Sequence, residues 1–593
     1  MTEPISTASS APVSPLAAAP SRPNSGFRAV WETWTHRVFT MREDQFFLFL
    51  AVLIGILSGL AVVCFRIAIE WTQIELLGSS LAPSTLRVIL APTLAGLLVA
   101  LLVIYFFPRA QGSGVNQTKS AVYVSNGYIP FNTVVGKFIV CALAIGSGQS
   151  LGPEDPSLQM GAGIASLIGR RLRLSQEKVR LIAPVGAAAG LAAAFNAPIS
   201  AVLFVLEEVI GTWSAGVLGA IVLAAISSVM TMRAFLGPES MFRVPPFRVA
   251  KPVDLLAYIA LGIVGGLASL VFLKWLAYAR PRIQSLPRWT QHYQPAVAGL
   301  LIGLIGIRLP QVMGAGYPII DQAMHGQFTW KLLLVLAALK ILATGFSFLS
   351  GTPGGMFAPV LFIGAMLGGA VGAIEQHFFP ALPGTVGTFA LVGMGTFFAG
   401  FLRVPITSVF MVIEVSGNYT AILPVMISSL IAYGISRSYV KVPLFDMLAR
   451  QDGLVLPSVE ERREQLILTV EDAMRLDATI LEPNYSAVDA IRHEEGKEAV
   501  IFFMRARPGE WHFVESSELQ RLAADASQTH TVAEARSKGP LPFVFRDMSL
   551  EEALHWAGDW PALPVLSRAD LSKLEGVITL DDILKAFRKV PVE

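Results

Sequence analysis

Charged side chains are scarce in this sequence. Only 15% of its 593 residues are Asp, Glu, Lys or Arg, whereas about a quarter of a typical soluble domain is charged. The scarcity is uneven, because residues 45 to about 450 hold long uncharged runs while the remainder has the composition of ordinary soluble protein. The composition excludes a wholly soluble chain and predicts one large membrane unit with a water-soluble appendage.

Cysteine and nucleic-acid-type basic clusters are also rare. Cys64 and Cys141 both lie inside apolar segments, so they are interpreted as small core residues and not as a disulfide. The net charge is +2, and basic residues occur singly or in short groups such as 170–173. Such groups are typical of anchors at a membrane surface and do not indicate a nucleic-acid partner. The sequence has no HExxH motif and its histidines are scattered, so we predict neither an enzyme nor a metal site.

The ends of the chain differ from its middle. Residues 1–26 are rich in Ser, Pro and Ala and lack the basic and apolar regions of a signal peptide, so we expect a disordered N-terminal tail. A membrane domain is predicted at 27–450 and a charged linker at 451–467. Residues 468–593 alternate short β-type runs with helical patterns, which predicts a small α/β domain whose two halves look related.

Long apolar runs dominate the membrane domain. Stretches such as 45–65, 88–108 and 214–232 carry no charge and reach the length of about 20 residues that a spanning helix needs. The uncharged run 341–374 is broken at 350–355 by glycine and proline. Non-helical backbone at membrane depth persists only where it is buried in protein or lines a cavity. We therefore predict an all-α polytopic membrane protein with re-entrant or broken helices, plus the small α/β domain.

An internal repeat is visible in the same region. Residues 197–208 (APISAVLFVLEE) match 404–415 (VPITSVFMVIEV), and upstream of each lies a glycine-rich break followed by a proline and an apolar run. Two matched motifs in the same order predict two structural repeats with the binding site at their interface. The sequence leaves open whether the two repeats are inverted.

Three breaks point to an anion site. GSGVN at 112–116, GPEDP at 152–156 and GMFAP at 355–359 each place glycine at the start of an apolar helical run. A helix N-terminus carries roughly half a positive charge and unpaired N–H groups, so converging N-termini would bind an anion without a lysine or arginine. The hydroxyl of Ser113 and the backbone amides of Met356 and Phe357 would add donors.

Two acidic residues are candidates for proton coupling. Glu154 lies at one of these helix starts, where a carboxylate can occupy an anion position and leave on protonation; the alternative is a structural first-turn glutamate. Acids inside membrane segments are functional by default. Glu207 has an acid, Glu414, at its repeat position, whereas Glu208 has Val415. Glu208 is therefore the candidate internal proton glutamate, the alternative being a helix end at the water interface.

These motifs, with GKF at 136–138 and PLFDML at 443–448, resemble the CLC family of chloride channels and chloride/proton antiporters. The resemblance implies a multi-pass homodimer in the lipid bilayer of the cell membrane, with one pore per subunit and with the tail and C-terminal domain in the cytoplasm. It further implies that Ser113, Met356 and Phe357 contact chloride, that Glu154 is the external gating glutamate and that Glu208 is the internal proton glutamate of the antiporters.

Three residues depart from the pattern of that family. Pro153 stands where an arginine is common, and Asp155 stands where a glycine is common. A second acid beside the gate would favour the protonated, open gate through like-charge repulsion. Phe445 stands where the family usually has a tyrosine whose hydroxyl touches the central ion. Because phenylalanine cannot donate a hydrogen bond, the central anion site is expected to be weaker or wetter.

The C-terminal region resembles a pair of CBS repeats, with GVITLDDI at 576–583 as the closing signature of the second. In that family the positions of Thr579 and Asp582 often contact ribose, which implies an adenine nucleotide site. The first-repeat counterparts are Glu515 and Glu518 and depart from the pattern. The alternative is a purely structural dimerisation module.

The function predicted from these observations is proton-coupled chloride antiport, with chloride and protons as substrates and no cofactor. The alternative is a passive chloride channel gated by voltage or pH. A CBS-regulated divalent-cation transporter would need carboxylate clusters in the pore, where this sequence offers helix N-termini. Fluoride selectivity is a further alternative, against which Ser113 in its GSG setting argues.

Overall fold

A computed structural model of the chain describes residues 43–589 with internal gaps. The gaps are at 79–83, 212–214, 243–254, 379–384, 455, 457–467, 493–500, 508–509, 525–529, 538 and 569. The predicted tail at 1–26 and most of the predicted linker at 451–467 lie outside the described residues. The described chain forms two compact units, which divide after Leu454; the segment Leu206–Thr212 is grouped with the second unit.

The first unit is helical and is built as two successive sets of helices. The first set contains α1 (Glu43–Leu77), α2 (Thr85–Tyr105), α3 (Val115–Val124), α4 (Phe131–Gly146), α5 (Glu154–Arg171), α6 (Gln176–Phe195), α7 (Pro198–Phe204) and α8 (Ala215–Leu236). The second set contains α9 (Leu255–Gln284), α10 (Gln294–Gly306), α11 (Tyr317–Met324), α12 (Trp330–Leu349), α13 (Phe357–Phe378), α14 (Val386–Leu402), α15 (Pro405–Ser416) and α16 (Ile422–Tyr439). A short helix, α17 (Leu444–Gln451), follows.

Length and hydropathy make this unit a polytopic membrane domain. Within the described residues, 8 helical segments are long and apolar enough to cross a membrane. Several other helices are too short to span, among them α4, α10, α14 and α15. The prediction of broken and short helices in an all-α membrane domain is therefore confirmed.

The two sets of helices repeat the same local structure. The α7 and α15 helices both begin with a proline at the first helical position, where a missing N–H costs nothing. Each is preceded by a helix that ends on a left-handed residue, Asn196 with φ 55° and Arg403 with φ 64°. Glycine allows the same close crossing in both sets, because a Cβ at Gly161 would lie 2.1 Å from the Gly186 oxygen and one at Gly364 would lie 2.4 Å from the Gly393 oxygen.

The second unit contains two small sheets of the same topology. The first sheet has the order β1 (Ala478–Leu481), β2 (Ile501–Arg507), β3 (Glu510–Val514), and the second has the order β4 (Val544–Phe545), β5 (Leu563–Leu566), β6 (Leu574–Ile578). In each sheet the first pair of strands is parallel and the second pair is antiparallel. The predicted relation between the two halves of this α/β region is confirmed.

The remaining helices of the second unit are short and pack on these sheets. They are α18 (Val470–Ala473), α19 (Ala487–Arg492), α20 (Ser516–Ala524), α21 (Leu550–Ala557) and α22 (Leu580–Lys589). Trp511 is fully buried, and its indole N–H donates to the Leu571 carbonyl oxygen at 3.1 Å. The buried indole therefore has the hydrogen-bond partner that its N–H needs.

Candidate functional site

The three glycine-containing breaks all end at helix starts, as the sequence predicts. The α3 helix begins at Val115, α5 begins at Glu154 and α13 begins at Phe357. The first turn of each helix has backbone N–H groups without an intrahelical acceptor. The partial positive charge of each N-terminus is therefore available to whatever lies between the three breaks.

A two-residue pairing holds two of these helix starts together. Gly152 and Gly355 form an antiparallel bridge in which each N–H donates to the other's carbonyl oxygen at 2.8 Å. The two glycines occupy the same position in the two repeats, so the repeats run antiparallel here. The starts of α5 and α13 therefore lie side by side.

Glu154 is the first residue of α5 and is fully buried. Its carboxylate faces its own N–H and that of Ala358, but neither carboxylate oxygen makes a hydrogen bond of normal geometry with any described residue. A Cβ on Gly152 would lie 2.3 Å from Oε2 of this carboxylate, so only glycine leaves room for the side chain. Arg66 acts on Glu154 electrostatically and makes no ion pair with it at contact distance in the described chain. A buried and poorly satisfied carboxylate at converging helix N-termini fits a side chain that can be displaced by an anion.

Asp155 is also fully buried and reaches the other repeat. The Met356 N–H donates to its Oδ2 at 3.1 Å, whereas Oδ1 has no partner among the described residues. The backbone amide that the resemblance assigns to chloride thus already holds a carboxylate of the protein.

Ser113 lies in the break at 112–116 and is almost fully buried. Gly112 and Gly114 on either side have φ of 84° and 127°, a backbone conformation that favours glycine. A Cβ on Gly114 would lie 2.4 Å from the Asp155 carbonyl oxygen, so this break packs directly on the start of α5. The structure therefore brings Ser113, Glu154, Asp155 and Met356 into one region.

A buried lysine supports the break that carries Ser113. Lys137 of α4 is fully buried, and its Nζ donates to the carbonyl oxygens of Ala110 at 3.0 Å and Gly112 at 2.6 Å. Its repeat counterpart, Lys340, donates in the same way to the Val312 and Gly314 oxygens at 2.8 and 2.6 Å. Sequence reasoning used Lys137 only as part of the GKF motif. Its signal was a lysine inside an apolar segment, which is costly unless the charge has partners.

Phe357 and Phe445 belong to one cluster of aromatic side chains. Their ring centroids are 6.5 Å apart, and Phe445 is 1% exposed. Phe195, Phe204 and Phe398 also pack on the Phe357 ring, with centroid distances of 5.9, 4.9 and 5.4 Å. The sequence had no signal for the last three, since phenylalanine in an apolar helix is ordinarily core.

An ion pair joins the elements that carry Ser113 and Phe445. Lys119 of α3 donates to Asp446 Oδ1 of α17 at 2.7 Å, with side-chain exposures of 0% and 5%. Because Phe445 directly precedes Asp446, the pair fixes α17 against the helix that follows Ser113. Sequence reasoning missed this pair, whose members are separated by most of the membrane domain.

The paired glutamates after α7 differ in burial, as expected. They lie in a π-helical segment, Val205–Ile210, that continues α7. Glu208 is buried and Glu207 is half-buried. Glu414, the repeat counterpart of Glu207, accepts hydrogen bonds from the Ile199 and Ser200 N–H groups at 2.9 and 2.7 Å. Glu414 therefore caps the start of α7, a structural role.

A polar cavity of about 830 Å³ reaches the region of Ser113. Its lining includes Gly112, Asn116, Gln159 and Arg280. The side-chain oxygens of Asn116 and Gln159 are buried without a hydrogen-bond partner in the described chain. The cavity is polar and large enough for water molecules to bond to these oxygens.

One stretch of the chain imitates a hydrolase motif. Residues 148–152 (GQSLG) have the GxSxG spacing of a nucleophile turn. Ser150, however, is buried, and its hydroxyl shares a hydrogen bond with the Thr344 hydroxyl at 2.9 Å. The serine is thus part of the packing between α4 and α12.

In the second unit, Thr579 and Asp582 bind each other. Asp582 Oδ2 accepts from the Thr579 N–H at 3.1 Å and from its hydroxyl at 2.6 Å, and Arg475 lies 3.3 Å from the same oxygen. This arrangement closes the first turn of α22 as a capping pair. The two residues of the predicted ribose site thus also bond to each other.

The membrane unit combines two repeats that pair at equivalent glycines, interrupted helices, and buried carboxylates beside helix N-termini. This architecture defines a membrane transport protein whose site lies at the repeat interface. A family model described as "Voltage gated chloride channel" matches residues 95–437. The H(+)/Cl(-) exchange transporter ClcA of Vibrio campbellii is 32% identical over 416 residues, which cover 68% of this chain and 88% of the relative. The chain belongs to the voltage gated chloride channel family, as its motifs predict.

Solved structures agree with this assignment. A slow cyanobacterial Cl⁻/H⁺ antiporter matches with a TM-score of 0.63 and 25% identity, covering 70% of this chain and 99% of that one. A eukaryotic CLC transporter matches in fold with a TM-score of 0.60 and 20% identity, covering 90% of this chain and 97% of that one. The predicted fold class is confirmed.

Proposed function

We propose that this protein exchanges chloride for protons across a membrane. One observation carries the proposal: the Glu154 carboxylate is buried where the starts of α5 and α13 meet, without a hydrogen bond of normal geometry to any described residue. There it competes with an anion for the same positive partial charges and can leave when protonated. The relative from Vibrio campbellii and the cyanobacterial neighbour carry names of chloride/proton exchangers, which supports antiport over a passive channel.

The site residues follow from the same proposal. Ser113 and the amides of Met356 and Phe357 contact chloride, Glu154 is the external gate and Glu208 is the internal proton acceptor. The burial of Glu208 and the absence of an acid at its repeat position, Val415, support its role. Protons and chloride then share Glu154 but reach it by different routes.

The assembly and placement are proposed on the resemblance. The protein is a homodimer in the cell membrane, with one pore per subunit, and its N-terminal tail and C-terminal unit face the cytoplasm. The C-terminal unit is a CBS pair that acts as a structural dimerisation module. The mutual hydrogen bonds of Thr579 and Asp582 support this role over adenine nucleotide binding.

The antiport proposal is tested in liposomes that contain the purified protein and a chloride gradient. The expected result is uphill proton movement driven by chloride. Glu208→Gln is expected to keep chloride flux and to lose proton movement, because the amide cannot pass on a proton. The adjacent Glu207→Gln is the matched control and keeps both fluxes. Chloride flux without proton movement in the wild type would favour the channel alternative.

A second test concerns the missing hydroxyl at Phe445. If the ring faces the central anion, Phe445→Tyr places a donor there, and a hydrogen bond to an ion contributes about 1.5–3 kcal/mol. Chloride affinity, measured by calorimetry, is therefore expected to increase by about tenfold or more. Phe398→Tyr alters another ring that packs on Phe357 and serves as the control, with unchanged affinity. Equal affinities for the wild type and Phe445→Tyr would place Phe445 away from the ion.

A further inference from the structure

The buried carboxylate of Asp155 binds a backbone amide of the proposed anion site, that of Met356. The Met356 N–H is one of the donors at the start of α13, and it points at Asp155 Oδ2 at 3.1 Å. The other oxygen of this fully buried carboxylate has no partner in the described part of the chain. A carboxylate oxygen therefore takes the position at this amide that a chloride ion would take.

The local backbone holds the carboxylate in this position. The Gly152–Gly355 pair fixes the segment before Asp155 against the segment before Met356. A Cβ on Gly355 would lie 2.9 Å from the Asp155 carboxyl carbon, so the side chain is packed directly on the opposing backbone. The contact is thus part of a tightly built turn and not a surface encounter.

The equivalent residues of the two repeats cannot form a second copy of this contact. The counterpart of Met356 in the first repeat is Pro153, which has no N–H, and the counterpart of Asp155 in the second repeat is Ala358. The second repeat therefore supplies the amide donor of this contact, and the first repeat supplies the carboxylate. The pair exists once in each chain and is not an accident of the internal symmetry.

We propose that Asp155 is a second resident anion of the pore, which occupies the Met356 amide and yields it to chloride when it is protonated. This inference rests on the proposed function and adds a specificity-determining residue to it. Glu154 and Asp155 are then two adjacent acids that face different amides of the same helix start, those of Ala358 and Met356.

The charges around Asp155 set the direction of the effect. The charged groups that face the two acids are Lys137 from α4 and Arg66 from α1. Lys137 acts on Asp155 and Arg66 acts on Glu154, and the buried Cys141 thiol of α4 also faces Asp155. The Lys137 ammonium is in addition bonded to the Ala110 and Gly112 carbonyl oxygens of the break that carries Ser113. At high pH, ionised Asp155 keeps the amide and repels chloride; at low pH, neutral Asp155 releases it. Chloride binding and proton binding at Asp155 therefore favour one another.

The test uses full-length protein with the gate already neutralised. In Glu154→Gln, chloride binding measured by calorimetry is expected to be about tenfold tighter at low than at high pH. Titrations in buffers of different ionisation enthalpy should also detect proton uptake when chloride binds. Both effects should disappear in Glu154→Gln/Asp155→Asn, which preserves the shape and the acceptor oxygen but carries no charge.

A control variant and three possible results test the role of Asp155 further. The half-buried Asp321 on α11 provides a control, and Glu154→Gln/Asp321→Asn should keep the full pH dependence. Binding to Glu154→Gln that is independent of pH and takes up no proton would overturn the proposal without any Asp155 variant. Persistence of both effects in the Asp155→Asn double variant, or in Glu154→Gln/Asp155→Gly, would overturn it as well. If the wild type shows no chloride-driven proton transport, that result would instead contradict the proposed function.

Discussion

Replacement of Glu154 by glutamine is expected to leave chloride flux in place and to reduce proton movement to the level of protein-free liposomes. Glutamine has the size of the protonated side chain but cannot become an anion that re-enters the helix N-termini. The pH dependence that arises from the gate should disappear with it. Chloride and proton fluxes are measured together in liposomes with a chloride gradient.

Glu75 provides the control for this substitution. It lies on α1, is exposed and is outside the region of the three helix starts, so Glu75→Gln should retain coupled transport. Unchanged proton coupling in Glu154→Gln would contradict the assignment of the gate. Complete loss of both fluxes in a correctly folded protein would also contradict it, since an open pore is the expected consequence of the neutral side chain.

Removal of one member of the Lys119–Asp446 pair is expected to have the largest effect on stability. The two side chains are 2.7 Å apart and almost inaccessible to solvent. A single change such as Lys119→Met leaves a buried carboxylate without its counter-charge, which typically costs about 3–5 kcal/mol. Thermal unfolding in detergent should show a large decrease in melting temperature, and chloride affinity should fall because α17 carries Phe445.

The double variant Lys119→Met/Asp446→Leu separates the cost of an orphaned charge from the value of the pair. Replacing both members by apolar side chains is often nearly neutral, so most of the stability should return. Asp452→Asn breaks the more exposed Arg280–Asp452 pair and should cost much less. If Lys119→Met and Asp446→Leu, each made alone, have the melting temperature of the wild type, the ion pair does not hold α17 in place.

Much of the fold could be predicted because the local sequence of each membrane helix reflects the apolar surroundings of that helix. Uncharged runs of spanning length mark helices wherever they occur, and the breaks at 112–116, 152–156 and 355–359 are visible as glycine and proline. The change of composition after about 455 marks the second unit in the same local way. All of these signals need only neighbouring residues, since they reflect backbone hydrogen bonding in an apolar medium.

The antiparallel pairing of the two equivalent breaks could not be predicted from the sequence. The matched motifs identify two equivalent halves, but a repeat in sequence is silent about direction in space. The bridge between Gly152 and Gly355 shows that the two equivalent segments are antiparallel where they pair. The same bridge explains why both positions are glycine: a Cβ on either would meet the acid side chains of the site.

The sequence by itself determined the class of this protein, its family and the helix starts at which we propose the anion site. It also identified Glu154 and Asp155 as unusual, because acids beside glycine and proline in an apolar segment are rare. Only the tertiary structure decided which partner each acid meets: Asp155 accepts from the Met356 N–H, whereas Glu154 has no hydrogen bond of normal geometry within the part of the chain that the structure describes. The Lys119–Asp446 pair was likewise visible only in three dimensions. The physical reason is that a local pattern encodes helix and burial, whereas the partner of a buried charge depends on how distant segments pack.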